Sequence, residues 1–144
     1  MIFIATDLLA QINREAEDAY PNECCGLLAG TGEPDEAITI SSVHHSDNVC
    51  VEKRHDRFEV DPRVRLELMR ALVGSPRRIV GHYHSHPDHP PVPSEYDLRM
   101  AFEPDLLWLI VAVEGGHATE VMAHKVNAGR TTFHKIPLVI EANR

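Results

Sequence analysis

Three observations predict a mixed α/β fold. Leu106 to Val113 is continuously apolar, the pattern of a central strand covered on both faces. Asp61-Pro62 is a strong helix start, with aspartate at the N-cap and proline in the first helical position. Strand and helix patterns then follow one another in the order β-α-β-β-β-α-β-α-β-β-β, which suggests a mixed sheet with helices on its faces.

Met1 to Ala5 reads as an edge strand. Thr6 is placed to cap the next helix, in which Leu8, Leu9, Ile12 and Ala16 recur at helical spacing and which Pro21 ends. Cys24 to Ala29 reads as a short buried strand with Glu23 at its entrance, and the stretch from Gly30 to Pro34 as a turn. Ala37 to Val43 alternates apolar and hydroxyl residues as a half-buried strand does, and Arg57 to Val60 reads as another strand. Val64, Leu68, Ala71 and Leu72 mark the buried face of the helix opened by Asp61, and Gly74 with Pro76 ends it. Ile79-Val80-Gly81 begins a buried strand that runs into His82-Tyr83-His84-Ser85-His86-Pro87. A proline-rich loop follows, and Ser94 opens a helix that Pro104 closes. After the 106–113 strand, turns at Glu114-Gly115-Gly116 and Asn127-Ala128-Gly129 lead into Ala118 to Val126 and Thr131 to Ile140, two hairpins. One domain, residues 1–144, accommodates all of this, and 144 residues suffice to bury about two thirds of the unfolded surface.

Composition excludes several classes of function. A formal net charge of -8, with no basic cluster beyond Arg77-Arg78, argues against nucleic acid, because phosphate binding needs a basic face. No apolar stretch reaches the roughly 18 residues of a membrane span and no basic segment precedes an apolar one at the start, so a cytoplasmic location without membrane contact is expected. Cys24, Cys25 and Cys50 are an odd number with no disulfide framework, and the absence of Cys-x-x-Cys makes a structural zinc site unexpected.

The chemistry concentrates after Gly81. His84 and His86 are two residues apart on a strand, so both face one side with roots about 6.6 Å apart. Two Zn–N bonds of about 2.0–2.1 Å can close that span onto one ion. Pro87 biases His86 toward extended backbone, and the loop beyond it lets the segment Ser94 to Asp97 return a carboxylate to the imidazoles. Two neutral nitrogens and one anionic oxygen leave a fourth position open, the composition of a catalytic zinc site. Taken singly, the parts are ordinary: Ser94-x-x-Asp97 is also a capping box, with Asp where Glu or Gln is usual.

Taken together, His84-x-His86-Pro87, six residues, and Ser94-x-x-Asp97 resemble the signature of the JAMM or MPN+ zinc metallopeptidases. The segment Pro21-Asn22-Glu23-Cys24-Cys25-Gly26-Leu27-Leu28 looks like that family's stretch in which a glutamate precedes a Cys-Gly strand. By itself Glu23 would read as solvated surface. The resemblance implies an α/β/α sandwich similar to cytidine deaminases, one catalytic Zn2+ held by His84, His86 and Asp97, Glu23 as general base toward a zinc-bound water, and Ser94 as a donor to the oxyanion. Short stand-alone members of this type resemble the bacterial Mec+ group. That likeness implies hydrolysis of a peptide or isopeptide bond after the C-terminal Gly-Gly of a small ubiquitin-like, sulfur-carrier protein. Alternatives are a deubiquitinase-like isopeptidase on lysine conjugates and a non-catalytic MPN binding or scaffold module. A Gly-Gly tail could lie along an exposed strand, and open sheet edges would also allow a homodimer.

The remaining residues get plainer expectations. His82 is read as supporting the ligands from behind or packing, and His89 as a loop residue able to touch substrate. His44, His45, His55, His117, His124 and His134 are read as surface histidines, and Trp108 as core. Gly26 is expected where backbone must pass close to a neighbouring element.

Overall fold

The computed structural model describes residues 1–33, 35–52 and 54–143. The expected turn's Pro34 lies outside them. The elements are β1 (Ile2–Ala5), α1 (Thr6–Ala19), β2 (Cys25–Thr31), β3 (Ile38–Ser46), α2 (Pro62–Ala71), β4 (Arg78–Pro87), α3 (Glu95–Arg99), β5 (Leu107–Glu114), β6 (His117–Val126), β7 (Phe133–Ile136) and β8 (Leu138–Glu141). They form a mixed eight-stranded sheet in the order β7-β6-β5-β4-β2-β3-β1-β8. The expected mixed α/β class holds. The expected strand at 57–60 does not form, since Val60 makes only an isolated bridge to Asn48. The expected last strand is two, because Pro137 lacks the N–H needed to continue a ladder. β7 pairs with β6 and β8 with β1, so one residue separates the two edges of the sheet and the sheet curls until they meet.

α1 lies in the curve, packed against β1, β3, β4, β5, β6 and β8. Its Leu9, Ile12 and Ala16 join Ile4, Leu28, Val80, Tyr83 and the odd-numbered residues of β5 in the main core. Thr6 does not cap this helix. The N-cap is Ala5, the Thr6 hydroxyl donates to the Glu141 carbonyl at 2.8 Å, and the Asn143 side chain accepts from the Asp7 N–H at 2.8 Å. On the opposite face α2 covers Leu27 and Ala29 with Leu68 and Leu72, while Ala71 is exposed. Asp61 caps α2 as expected, accepting from Arg63 N–H at 2.9 Å. α3 ends at Arg99, well before Pro104.

Gly26 meets its expectation. A Cβ there would overlap the Tyr83 phenol and the His44 carbonyl, and the phenol is fixed by its 2.5 Å hydrogen bond to Glu15. Gly26→Ala should cost about 1–3 kcal/mol by overpacking. Thermal melting would show this as a drop of several degrees, and an unchanged Tm would contradict it.

Candidate active site

β4 runs between β2, antiparallel, and β5, parallel. Strand alternation sends Tyr83 into the α1 core and turns His82, His84 and His86 to the other face, where Trp108 of β5 stands edge-on to His82 and His84. Asp97, the third residue of α3, completes the group. Ser94 and Asp97 form both arms of a capping box: the Ser94 Oγ accepts from Asp97 N–H at 3.0 Å, and Asp97 Oδ2 accepts from Ser94 N–H at 2.9 Å. The box therefore aims the carboxylate.

The three donor atoms make a small triangle. His84 Nε2 lies 3.1 Å from His86 Nε2, and Asp97 Oδ2 lies 3.4 and 3.3 Å from those two nitrogens. Bonds of about 2.0–2.1 Å to a tetrahedral ion would give edges of about 3.3 Å. The protons agree with this fit: His86 Nδ1–H donates to the Pro90 carbonyl at 2.9 Å, so its Nε2 presents a lone pair to another nitrogen and a carboxylate. A cation at the centre would be attracted by that lone pair and by the carboxylate.

Glu23 stands one layer out, with a carboxylate oxygen within 4.8 Å of a ring nitrogen of each histidine. It is 3% exposed, and its buried Oε1 has no hydrogen-bond partner. Burial, followed by the charges of Asp97 and Asp56, pushes its carboxyl up to about 9. Burial also pushes His84 below its ordinary value, and His82 down to about 3 with the charge on His84 adding to it. Burial alone would raise Asp97, yet the neighbouring His84 with its hydrogen bond and the Ser94 N–H hold it well below the usual carboxylate range.

The Glu23 shift has a sign that can be tested. With about 9 in the native protein against 4.5 for the ordinary group, the native state holds an extra proton between those values, so stability falls as pH rises through that window. Chelator-treated protein should lose Tm from pH 7 to pH 9, above the range in which the neutral His82 and His84 add stability as pH rises, with saturating zinc flattening the slope. A rising Tm under chelator would contradict the assignment.

His82 lies outside the triangle, its ring centroid 6.4 Å from that of His84 and 4.3 Å from that of Trp108. His89 is exposed in the turn after β4. His124, expected at the surface, is buried, and its Nε2–H donates to the Pro91 carbonyl at 2.9 Å, so two imidazoles hold successive carbonyls of the proline loop. Phe58 is stacked on His84 at 4.2 Å between centroids. Its partner is 26 residues away, and no local pattern signals the contact. Phe58, Val60, Tyr96, Met100, Phe102 and Trp108 wall a cleft of about 320 Å³ that Asp97 also lines.

This is a mixed α/β protein in which buried imidazoles and carboxylates come together as a group that could hold a metal ion, with an apolar cleft at its margin. Residues 5–127 match the model for prokaryotic homologs of the JAB domain, and the chain belongs to that family. It is 34% identical over 108 residues to a desampylase of Haloferax volcanii, covering 75% of each chain. It is 25% identical over 142 residues to a CysO-cysteine peptidase of Mycobacterium tuberculosis, covering 96% of this chain and 92% of that one. Among solved structures, protein DSY2949 of Desulfitobacterium hafniense superposes with a TM-score of 0.83 at 26% identity, covering 99% of this chain and 94% of the other. No helix among the described residues is long and apolar enough to cross a membrane.

Proposed function

We propose that this protein is a zinc-dependent hydrolase that cuts the peptide or isopeptide bond after the C-terminal Gly-Gly of a small ubiquitin-like, sulfur-carrier protein. The observation that carries the chemistry is the 3.1–3.4 Å triangle of His84, His86 and Asp97 with Glu23 beside it. Those three residues would hold the ion, which supplies Lewis acidity toward the scissile carbonyl and the attacking water. Glu23 takes the proton released by the water and delivers it to the leaving amine. Without a cation the buried Glu23 carboxyl, pushed up to about 9, holds its own proton near neutral pH, and a cation held beside it is what would leave it ionised and able to act as base. Ser94 already accepts the Asp97 N–H as a cap, which leaves its own O–H proton to donate to the developing oxyanion. Losing one such donor costs about 10²–10³ in turnover.

The names of the two relatives support the substrate, and that of the second, a CysO-cysteine peptidase, supports cysteine as the leaving group. The test is the intact mass of a Gly-Gly-ended sulfur carrier bearing a C-terminal cysteine adduct, after incubation with zinc-loaded protein. The expected result is a mass drop to the free carrier, abolished by a chelator. No drop, with a lysine conjugate cleaved instead, would replace cysteine by lysine as the leaving group.

A further inference from the structure

Glu23 lies before β2 begins at Cys25, so the sheet ladder does not hold its backbone. The connection between β3 and α2 holds it instead. The Glu23 N–H donates to the Arg54 carbonyl at 2.7 Å, and the Glu23 carbonyl accepts from Asn48 Nδ2 at 3.2 Å. Asn48 does more than this. Its Nδ2 also donates to the Arg57 carbonyl at 3.0 Å, while its Oδ1 accepts from Glu59 N–H at 3.0 Å and Cys50 N–H at 3.1 Å. Two donors and two acceptor positions are the full capacity of an asparagine amide, and all four are used.

The contacts at Arg57 and Glu59 bracket Phe58, the ring stacked on His84. One amide thus ties the backbone of the candidate base to the aromatic residue that covers a candidate metal ligand. We infer that Asn48 is a positioning residue, which sets the Glu23 carboxylate against the reacting water by clamping the 47–60 connection to the entrance of β2. This rests on the role proposed for Glu23. A misplacement of about 1 Å at a reacting group can cost about 10²-fold in rate.

Asn48→Asp separates the positioning role from a merely structural one. An aspartate keeps the acceptor for Cys50 and Glu59 but loses the donor to Glu23 and Arg57. The variant should bind zinc as the parent does and lose about 10–100-fold in kcat on the carrier–cysteine conjugate, with KM within about threefold. The emission of Trp108, the single tryptophan, should shift as Phe58 leaves its 6.0 Å contact. A kcat within about threefold of the parent, or a loss confined to KM, would overturn the inference. Amide hydrogen exchange on the parent protein provides a second readout that needs neither a variant nor activity. Cys50 and Glu59 N–H should exchange far more slowly than free loop amides, and exchange at the free rate would overturn the clamp. A parent protein that cleaves no conjugate, yet shows this protection and the Trp108 shift in Asn48→Asp, would sink the proposed function and leave the clamp in place.

Discussion

Glu23→Gln should retain one zinc ion per chain and lose about 10²–10⁴-fold in kcat, the range that general acid–base catalysis supplies. The amide fills the same space beside His84 and His86 but cannot take a proton from water or give one to an amine. Since the triangle of His84, His86 and Asp97 does not include Glu23, metal content is the control that separates loss of a base from loss of the site. Metal analysis with the mass assay on the carrier conjugate would decide the matter. Activity at the parent level would remove Glu23 from the mechanism.

His86→Ala should lose both zinc and activity. It deletes one corner of the triangle and also the N–H that holds the Pro90 carbonyl, so the ion loses a ligand while the loop beside it loses an anchor. The fall in metal affinity should exceed the about 10–100-fold typical when only a ligand's outer hydrogen-bond partner is removed. Asp97→Asn is the companion test, since its amide oxygen can occupy the same place without the charge that offsets a cation. Zinc bound at parental affinity by His86→Ala would show that the ion sits elsewhere, since the triangle and the group of Glu23, His84 and His86 both use the deleted imidazole.

The residues of the triangle were legible in the sequence because their relations are local. A strand period of two puts His84 and His86 on one side, and a helix start puts Ser94 and Asp97 within one turn. The class of fold was legible for a similar reason, since the apolar run of β5 and the cap of α2 are each written in consecutive residues. What was hidden depends on distant partners. Phe58 sits in a connection whose order comes from Asn48 ten residues earlier rather than from a strand pattern. His124 alternates along β6 like any exposed residue, and only the proline loop arriving above it makes it buried. The Thr6 hydroxyl had a nearer task as a cap, but β8, arriving beside β1, claims it instead.

The pairing of β1 with β8 has a consequence for how the protein is made. Ile2 sits opposite Leu138, so β1 waits for a partner synthesised 136 residues later. At about 5–20 residues per second that delay is on the order of ten seconds. Throughout it the outer edge of β1 is unpaired, until β8 arrives after Pro137. The nascent chain thus carries an adhesive β1 edge that β8 covers in the finished protein, and its safe synthesis depends on whatever shields that edge in the interval.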